Sequence, residues 1–198
     1  MKALNLKESL ELLKAYDIPV AETYFVDSED ELERVAEKLS YPVVVKPNVP
    51  EHKTEIGVFK SLKNLGEVRD AFKSINSEVA VQRMIGGYEI LLGAKNDGQF
   101  GNVIALGSGG IFAELFQDVS FRISPVGRAD FYEMLEETKL SKIAEGFRGF
   151  EFDAEDLFRI LKNFEMLVNE ENVIEADINP LMASKNHIVA VDARVILG

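Results

Sequence analysis

The stretch VIEADINPL at residues 173–181, followed by HIVAVDARVI at 187–196, decides the architecture of this chain. Successive side chains of an extended segment point to opposite faces, so Glu175, Asp177 and Asn179 share one face while Ile174, Ala176 and Ile178 share the other. The second segment sets Asp192 among Ile188, Ala190 and Ile196, and an acid inside an apolar alternation needs a partner or a cation. With a turn centred on Lys185 and Asn186, the two segments form a hairpin in which opposed residue numbers sum to about 371. Asn179 then faces Asp192, with Cβ atoms about 4.5–5.5 Å apart. That oxygen pair suits magnesium, which takes one or two protein carboxylates and fills its octahedron with waters and phosphate oxygens. The competing reading is structural: Asp177 turns the chain before Pro180, and Asp192 pairs with Arg194.

Working back from the hairpin, Asp153 caps an amphipathic helix whose Leu157, Ile160, Leu161, Phe164, Leu167 and Val168 share a face. Before it, residues 88–95 and 102–106 read as strands joined by the turn NDGQFG, and the second strand runs into GSGG at 107–110. The longer run GSGGIFAELFQDVSFRISPV, residues 107–126, either cradles an anion on successive backbone N–H groups or simply turns tightly. Within it, Arg122 either clamps phosphate with its guanidinium fork or pairs with Asp118 or Glu114. The apolar Ile111, Phe112, Leu115 and Phe116 offer either a contact surface or core.

The first half opens with a helix over residues 5–16, carried by Leu6, Leu10 and Leu13, and a second helix begins after the capping pair Ser28 and Glu31. A buried strand, Val43 to Val45, leads into KPNVPEHKTEIGV at 46–58, which reads as a loop. A strand near 57–62, a helix near 65–75 and a strand at 79–84 follow, and Gly86 with Gly87 breaks the pattern. The sequence therefore predicts an α+β architecture of two lobes, residues 1–85 and 86–198. Lys46, at the end of the valine strand, presents a point charge suited to phosphate. His52, Lys53 and Thr54 follow in the loop, where an imidazole that is partly neutral near neutral pH is either solvated surface or a nucleophile toward phosphorus.

Composition narrows the function. The 198 residues carry 34 acidic and 22 basic side chains, a formal charge of −12, which repels a nucleic-acid backbone and requires any phosphate ligand to meet a local basic site. Cysteine is absent, which excludes disulfides, thiolate metal sites and cysteine nucleophiles. The leucines of the N-terminal segment are interrupted by Lys7, Glu8, Glu11 and Lys14, and no apolar run approaches the roughly 18 residues of a membrane span. A cytoplasmic protein without nucleic-acid or membrane partners is expected.

Taken in order, KPNVPEHKTEIGV, VQRMIGGYEILLG, the 107–126 run, EADINPLM and IVAVDARVIL resemble the ATP-grasp β subunit of ADP-forming acetyl-CoA and acyl-CoA synthetases. More distantly the chain is similar to the β subunit of succinyl-CoA synthetase. The resemblance implies an ATP-grasp fold whose two lobes enclose a nucleotide cleft, with ATP or ADP and magnesium as cofactors. It implies Lys46, Lys53, Thr54, Arg83, Ile85 and Glu89 as nucleotide contacts, and Asn179 and Asp192, with Asp177 beside them, as metal ligands. His52 matches the position of a phosphoryl-relay histidine, and Arg122 joins it as a catalytic candidate. The implied partner is a CoA-binding α subunit in a hetero-oligomer, and the implied reaction converts acyl-CoA, ADP and phosphate reversibly to acid, CoA and ATP. The sequence departs from the family in a shorter stretch between Lys46 and His52, in Val58 where a glycine is usual, and in Arg83 where an acid is usual. Those departures leave two alternatives: another ATP-grasp carboxylate ligase, and a non-catalytic nucleotide-binding or scaffolding module.

Overall fold

The structure, a computed structural model, describes residues 1–36, 38–50, 57–110 and 118–198. The chain divides into two compact units, one comprising Leu4–Glu8 with Ala21–Ile85, the other Met1–Ala3, Ser9–Val20 and Gly86–Gly198. The first helix, α1 (Leu6–Ala15), has residues in both.

The smaller unit is a four-stranded antiparallel sheet, β2 (Thr23–Val26), β5 (Val79–Arg83), β3 (Val43–Pro47) and β4 (Phe59–Leu62) in spatial order, with helices α2 (Glu29–Ala36) and α3 (Leu65–Ile75). Val43 and Val45 lie fully buried on one face, where Val26, Leu32, Val68, Ala71, Val79 and Val81 complete a core. Helix α3 starts where the Asn64 side chain accepts from the Glu67 N–H, satisfying one of the unpaired donors of the first turn. It stops at Asn76, whose left-handed backbone (φ 52°) suits an asparagine at a helix end.

The larger unit is a seven-stranded sheet. Its path runs β1 (Lys2–Ala3), β11 (Arg194–Leu197), β9 (Val173–Ser184), β6 (Tyr88–Asp97), β7 (Gly101–Ser108) and β8 (Val119–Ile123), with β10 (His187–Ala190) also on β9. Helices α4 (Arg128–Glu137), α5 (Leu140–Ala144) and α6 (Ala154–Glu170) follow β8 in the chain; α4 packs on β8 and β7, and α6 on β9 and β7. Asp153 caps α6 by accepting from the Glu155 N–H at 2.8 Å, and the six apolar positions expected to share a face are all buried. The same helix buries Glu165, whose carboxylate accepts from the Ser124 hydroxyl (2.7 Å), the Val126 N–H (2.8 Å) and the Lys162 ammonium (2.5 Å). That acid is satisfied, and it anchors the chain between β8 and α4.

The closing hairpin has the expected register: His187 pairs with Ser184, Ile188 with Ala183, Val189 with Met182 and Ala190 with Leu181. Beyond an interruption at residues 191–193 the same register resumes, with Arg194 opposite Asp177 and Ile196 opposite Glu175. Two closing strands were expected; the partner side of β9 is instead two strands, β10 and β11. Among the described residues no helix is long and apolar enough to cross a membrane.

Candidate functional site

Strand β9 positions the candidate metal ligands. The Val191 N–H donates to the Pro180 carbonyl at 3.2 Å, and the register has the same sum on both sides of the 191–193 interruption, so Asp192 falls opposite Asn179 by count. Burial follows the alternation read from sequence, with Ala176 and Ile178 buried, Asp177 half-buried and Asn179 exposed. On its other side β9 pairs with β6 through a bulge: Ile90 faces Leu181 and Leu92 faces Ile178, leaving Leu91 against both Asn179 and Pro180. Bulges re-aim side chains and recur beside functional sites.

The glycine turn contacts Asn179, and Glu89 contacts the glycine turn. Asn179 Oδ1 accepts from the Gly110 N–H at 3.2 Å, which leaves the second lone pair of that oxygen for another partner. The Glu89 carbonyl accepts from the Gly109 N–H at 2.7 Å, and its carboxylate reaches Gly110 so closely that a Cβ built there would lie 1.8 Å from Oε2. Glu89, the glycine turn and Asn179 thus form one cluster, with Asp192 in register beside it. The donors are hard oxygens, the chemistry magnesium selects. Among the described residues no three His, Cys, Asp or Glu side chains cluster as a metal cage. A two-ligand magnesium site completed by phosphate oxygens needs no such cage.

Asp177 lies one alternation away on the same face, opposite both Gly93 and Arg194. It borders a shallow depression of about 370 Å³ floored by Gly93 and Ala105 and walled by Leu91, Val103 and Phe121. Arg194 bonds to Glu175, its Nη1 donating to Oε1 at 2.8 Å.

The other candidates fall elsewhere. Lys46 is in β3 and only 4% exposed, with its ammonium donating to Gln82 Oε1 at 3.3 Å; Gln82 Nε2 donates in turn to Thr23 Oγ1 at 2.7 Å. Lys46 stands near the end of β3, as the valine run led one to expect, and its ammonium is buried against the Gln82 amide. Arg83 ends β5 exposed and Ile85 is half-buried, both also in the smaller unit. Arg122, on β8, is engaged by carboxylates of α4: its Nη2 donates to Glu137 Oε1 at 2.8 Å, its Nη1 to Glu137 Oε2 at 3.0 Å, and Nη2 also to Glu133 at 3.3 Å. Hydrogen bonds from Arg122, with a second from Ser120, hold the Glu137 carboxyl down at about 2. Of the two partners expected for Arg122, Asp118 is not used, and Glu114 lies outside the described residues. So do His52, Lys53, Thr54 and the apolar set Ile111, Phe112, Leu115 and Phe116.

Sequence reasoning passed over Tyr88, Ser108 and Asp118 as a group. The Ser108 hydroxyl, 1% exposed, hydrogen-bonds Tyr88 Oη at 2.8 Å and donates to Asp118 Oδ2. The signal available was an alternation: Ser108 is polar where Ile104 and Leu106 before it are buried.

An ATP-grasp domain family matches residues 1–197, and the chain belongs to that family. Among its relatives, it is 37% identical to the acetate–CoA ligase (ADP-forming) I subunit beta of Pyrococcus furiosus, covering 96% of this chain and 90% of that one. It is 34% identical to acetate–CoA ligase (ADP-forming) II of Archaeoglobus fulgidus, where 96% of this chain spans only 30% of the relative's length. A solved structure of the dinucleotide-forming acetyl-coenzyme A synthetase 1 of Ca. Korarchaeum cryptofilum, in complex with coenzyme A and Ca-AMPCP, superposes with a TM-score of 0.88 at 33% identity, covering 100% of this chain and 94% of that one. A second structure of that protein, with coenzyme A and Mg-AMPPCP and its phosphohistidine segment pointing towards the nucleotide site, gives 0.82 at 34% identity, covering 100% and 93%.

Proposed function

We propose that this chain is the nucleotide-binding β subunit of an ADP-forming acyl-CoA synthetase, which with a CoA-binding α subunit converts acyl-CoA, ADP and phosphate reversibly to acid, CoA and ATP. The observation that supports this reading is the register of the closing hairpin, the same on both sides of residues 191–193, which puts Asp192 opposite Asn179 by count, while the Gly110 amide donates to that asparagine and the Glu89 carboxylate lies against Gly110. The two lobes are taken as residues 1–85 and 86–198, a division supported at Ile85 and Gly86, where the two compact units meet in the chain, although residues 1–3 and 9–20 belong to the larger unit. Asn179 and Asp192 hold magnesium with Asp177 beside them, and Lys46, Lys53, Thr54, Arg83, Ile85 and Glu89 contact the nucleotide. When bound, magnesium neutralises phosphate charge as it develops in the transferring phosphoryl group.

The chain's own residues supply positioning and relay. Lys46 brings a fixed cation that Gln82 orients, and pre-oriented charge stabilises a transition state without reorganising at the moment of reaction. His52 takes the phosphoryl group from the α subunit's phosphohistidine: its ring nitrogen forms a new N–P bond as the donor's N–P bond breaks. It then gives the group to a β-phosphate oxygen of ADP, forming the terminal P–O bond of ATP. Arg122 contributes by exchanging Glu137 for a phosphoryl oxygen, a swap between two anions that a guanidinium fork binds in the same geometry.

The test is reconstitution with the α subunit and measurement of ATP formed from acyl-CoA, ADP and phosphate, with calorimetry of ADP in the presence and absence of magnesium. Magnesium-dependent ADP binding, and turnover lost in His52→Ala with binding retained, are expected. ATP consumption without any α subunit would instead identify a carboxylate ligase, and nucleotide binding without turnover a scaffolding module.

A further inference from the structure

On the helix-covered face of the larger sheet, directly beneath the glycine turn, lies a chain of three polar side chains without an assigned role. Ser108 ends β7 opposite Ile90. Its hydroxyl carries one proton, which goes to Asp118 Oδ2, because an ionised carboxylate can only accept. The Tyr88 hydroxyl, 2.8 Å away, must therefore donate to Ser108, and the proton order is fixed as Tyr88 to Ser108 to Asp118. The Asp118 side chain is itself only 10% exposed and also accepts from the Lys139 N–H, at 3.2 Å to each oxygen.

This chain of bonds clamps both flanks of the turn. The Ser108 N–H donates to the Asp118 carbonyl at 3.0 Å, and Gly107 lies so near that a Cβ there would meet the same carbonyl oxygen at 2.1 Å. Tyr88 precedes Glu89, the residue whose carbonyl receives the Gly109 N–H and whose carboxylate reaches Gly110. Tyr88 and Glu89 point to opposite faces of β6, so one strand step couples the buried chain to the open cluster.

We propose that Asp118, acting through Ser108 and Tyr88, is a positioning residue that sets Gly110 and Glu89 against Asn179, and so tunes how the site takes up a divalent cation with its nucleotide. The inference rests on the nucleotide-binding reading above. Groups bonded directly to a metal ligand typically alter affinity by about 10–100-fold, and Asp118, acting through two further side chains, is expected at the lower end of that range.

Asp118→Asn is the informative variant, because the amide keeps an oxygen for the Lys139 N–H but offers Ser108 a donor, which reverses the proton order while preserving shape. Tyr88→Phe removes the first donor and keeps the ring that meets Phe150 edge-on at 6.0 Å. Calorimetry of ADP at graded magnesium concentrations on the full chain, with circular dichroism confirming folding, gives the readout. Each variant is expected to raise the magnesium concentration for half-maximal ADP binding by about tenfold. The double variant should cost no more than the larger single effect, because both act through one hydroxyl. At saturating magnesium, turnover of the reconstituted enzyme should return to near the parent value. Folded single variants with the parent's magnesium dependence, or strictly additive effects in the double variant, overturn the proposal while leaving the nucleotide reading intact. A parent chain that does not bind ADP with magnesium overturns both.

Discussion

The Glu89 carboxylate occupies the space that a side chain at residue 110 would need: Oε2 lies 1.8 Å from the position of an ideal Cβ on Gly110, whose φ is +60°. Alanine at 110 meets both obstacles. The left-handed backbone costs about 1–2 kcal/mol for a residue with a Cβ, and the carboxylate must swing away from residue 110. Gly110→Ala is therefore expected to fold with a lowered melting temperature and to lose magnesium-dependent ADP binding. Gly107→Ala should be worse for stability, since its obstacle is the Asp118 backbone rather than the end of a flexible side chain. Equal melting temperatures for the two variants would contradict this ranking.

The hairpin register ranks the acids of β9 and its partner. Asp192 stands level with Asn179, whereas Asp177 stands opposite Arg194 and Gly93. Asp192→Asn should weaken magnesium uptake on the order of tenfold or more, because charge count sets the affinity of an oxygen site, and Asp177→Asn should do so less. Titration of magnesium against ADP binding measures both, and a larger loss for Asp177→Asn would reverse the ligand assignment.

The pair of Arg122 and Glu137 carries a pH signature. The Glu137 carboxyl is held at about 2 from an ordinary 4.5, so its contribution to stability is fully present above the ordinary value and is lost as pH falls toward the lowered one. Both side chains are partly solvated, which keeps the effect small. The gap in melting temperature between the parent and Glu137→Gln should be widest near about pH 6 and narrow toward about pH 2.5. A gap that grows on acidification would assign the pair no such role.

Glu165→Ala removes the acceptor of three groups at once, leaving the Ser124 hydroxyl and the buried Val126 N–H without it. Each unsatisfied buried group costs about 1–3 kcal/mol. A loss of that order in unfolding free energy, read as a lower urea midpoint at unchanged slope, is expected, and a midpoint matching the parent would show that water replaces the carboxylate freely.

Much of this arrangement was legible in the sequence because period and register are local properties. The alternation in 173–181 and a two-residue turn fix which residues oppose, and α6 announced itself through Asp153 and six apolar positions on one face. The β6 side of β9 was illegible, since a bulge against Leu91 depends on a strand some ninety residues earlier in the chain. Strand β8 and helices α4 and α5 went unassigned. The spacing of Phe131, Met134 and Leu135 does carry a helical signal, but α4 has no side-chain cap: Gly127 stands at its start and Asp130 reaches back to the Gly127 N–H. The buried environment of Lys46 was equally hidden, because Gln82 and Thr23 reach it only through sheet pairing. The partners of Arg122 come from α4, an element the reading lacked.

The two-against-one step opposite Leu91 divides β9 into halves with different inside–outside phase: Ile178 and Leu181, three apart, both face inward. Deleting one residue between them would remove the bulge and leave Leu181 facing inward by ordinary alternation, so the extra residue serves to re-aim Asn179 and Pro180 and is not needed to keep the core. An engineered or natural variant shortened by one residue here should therefore be expected to lose the chemistry before it loses the hairpin.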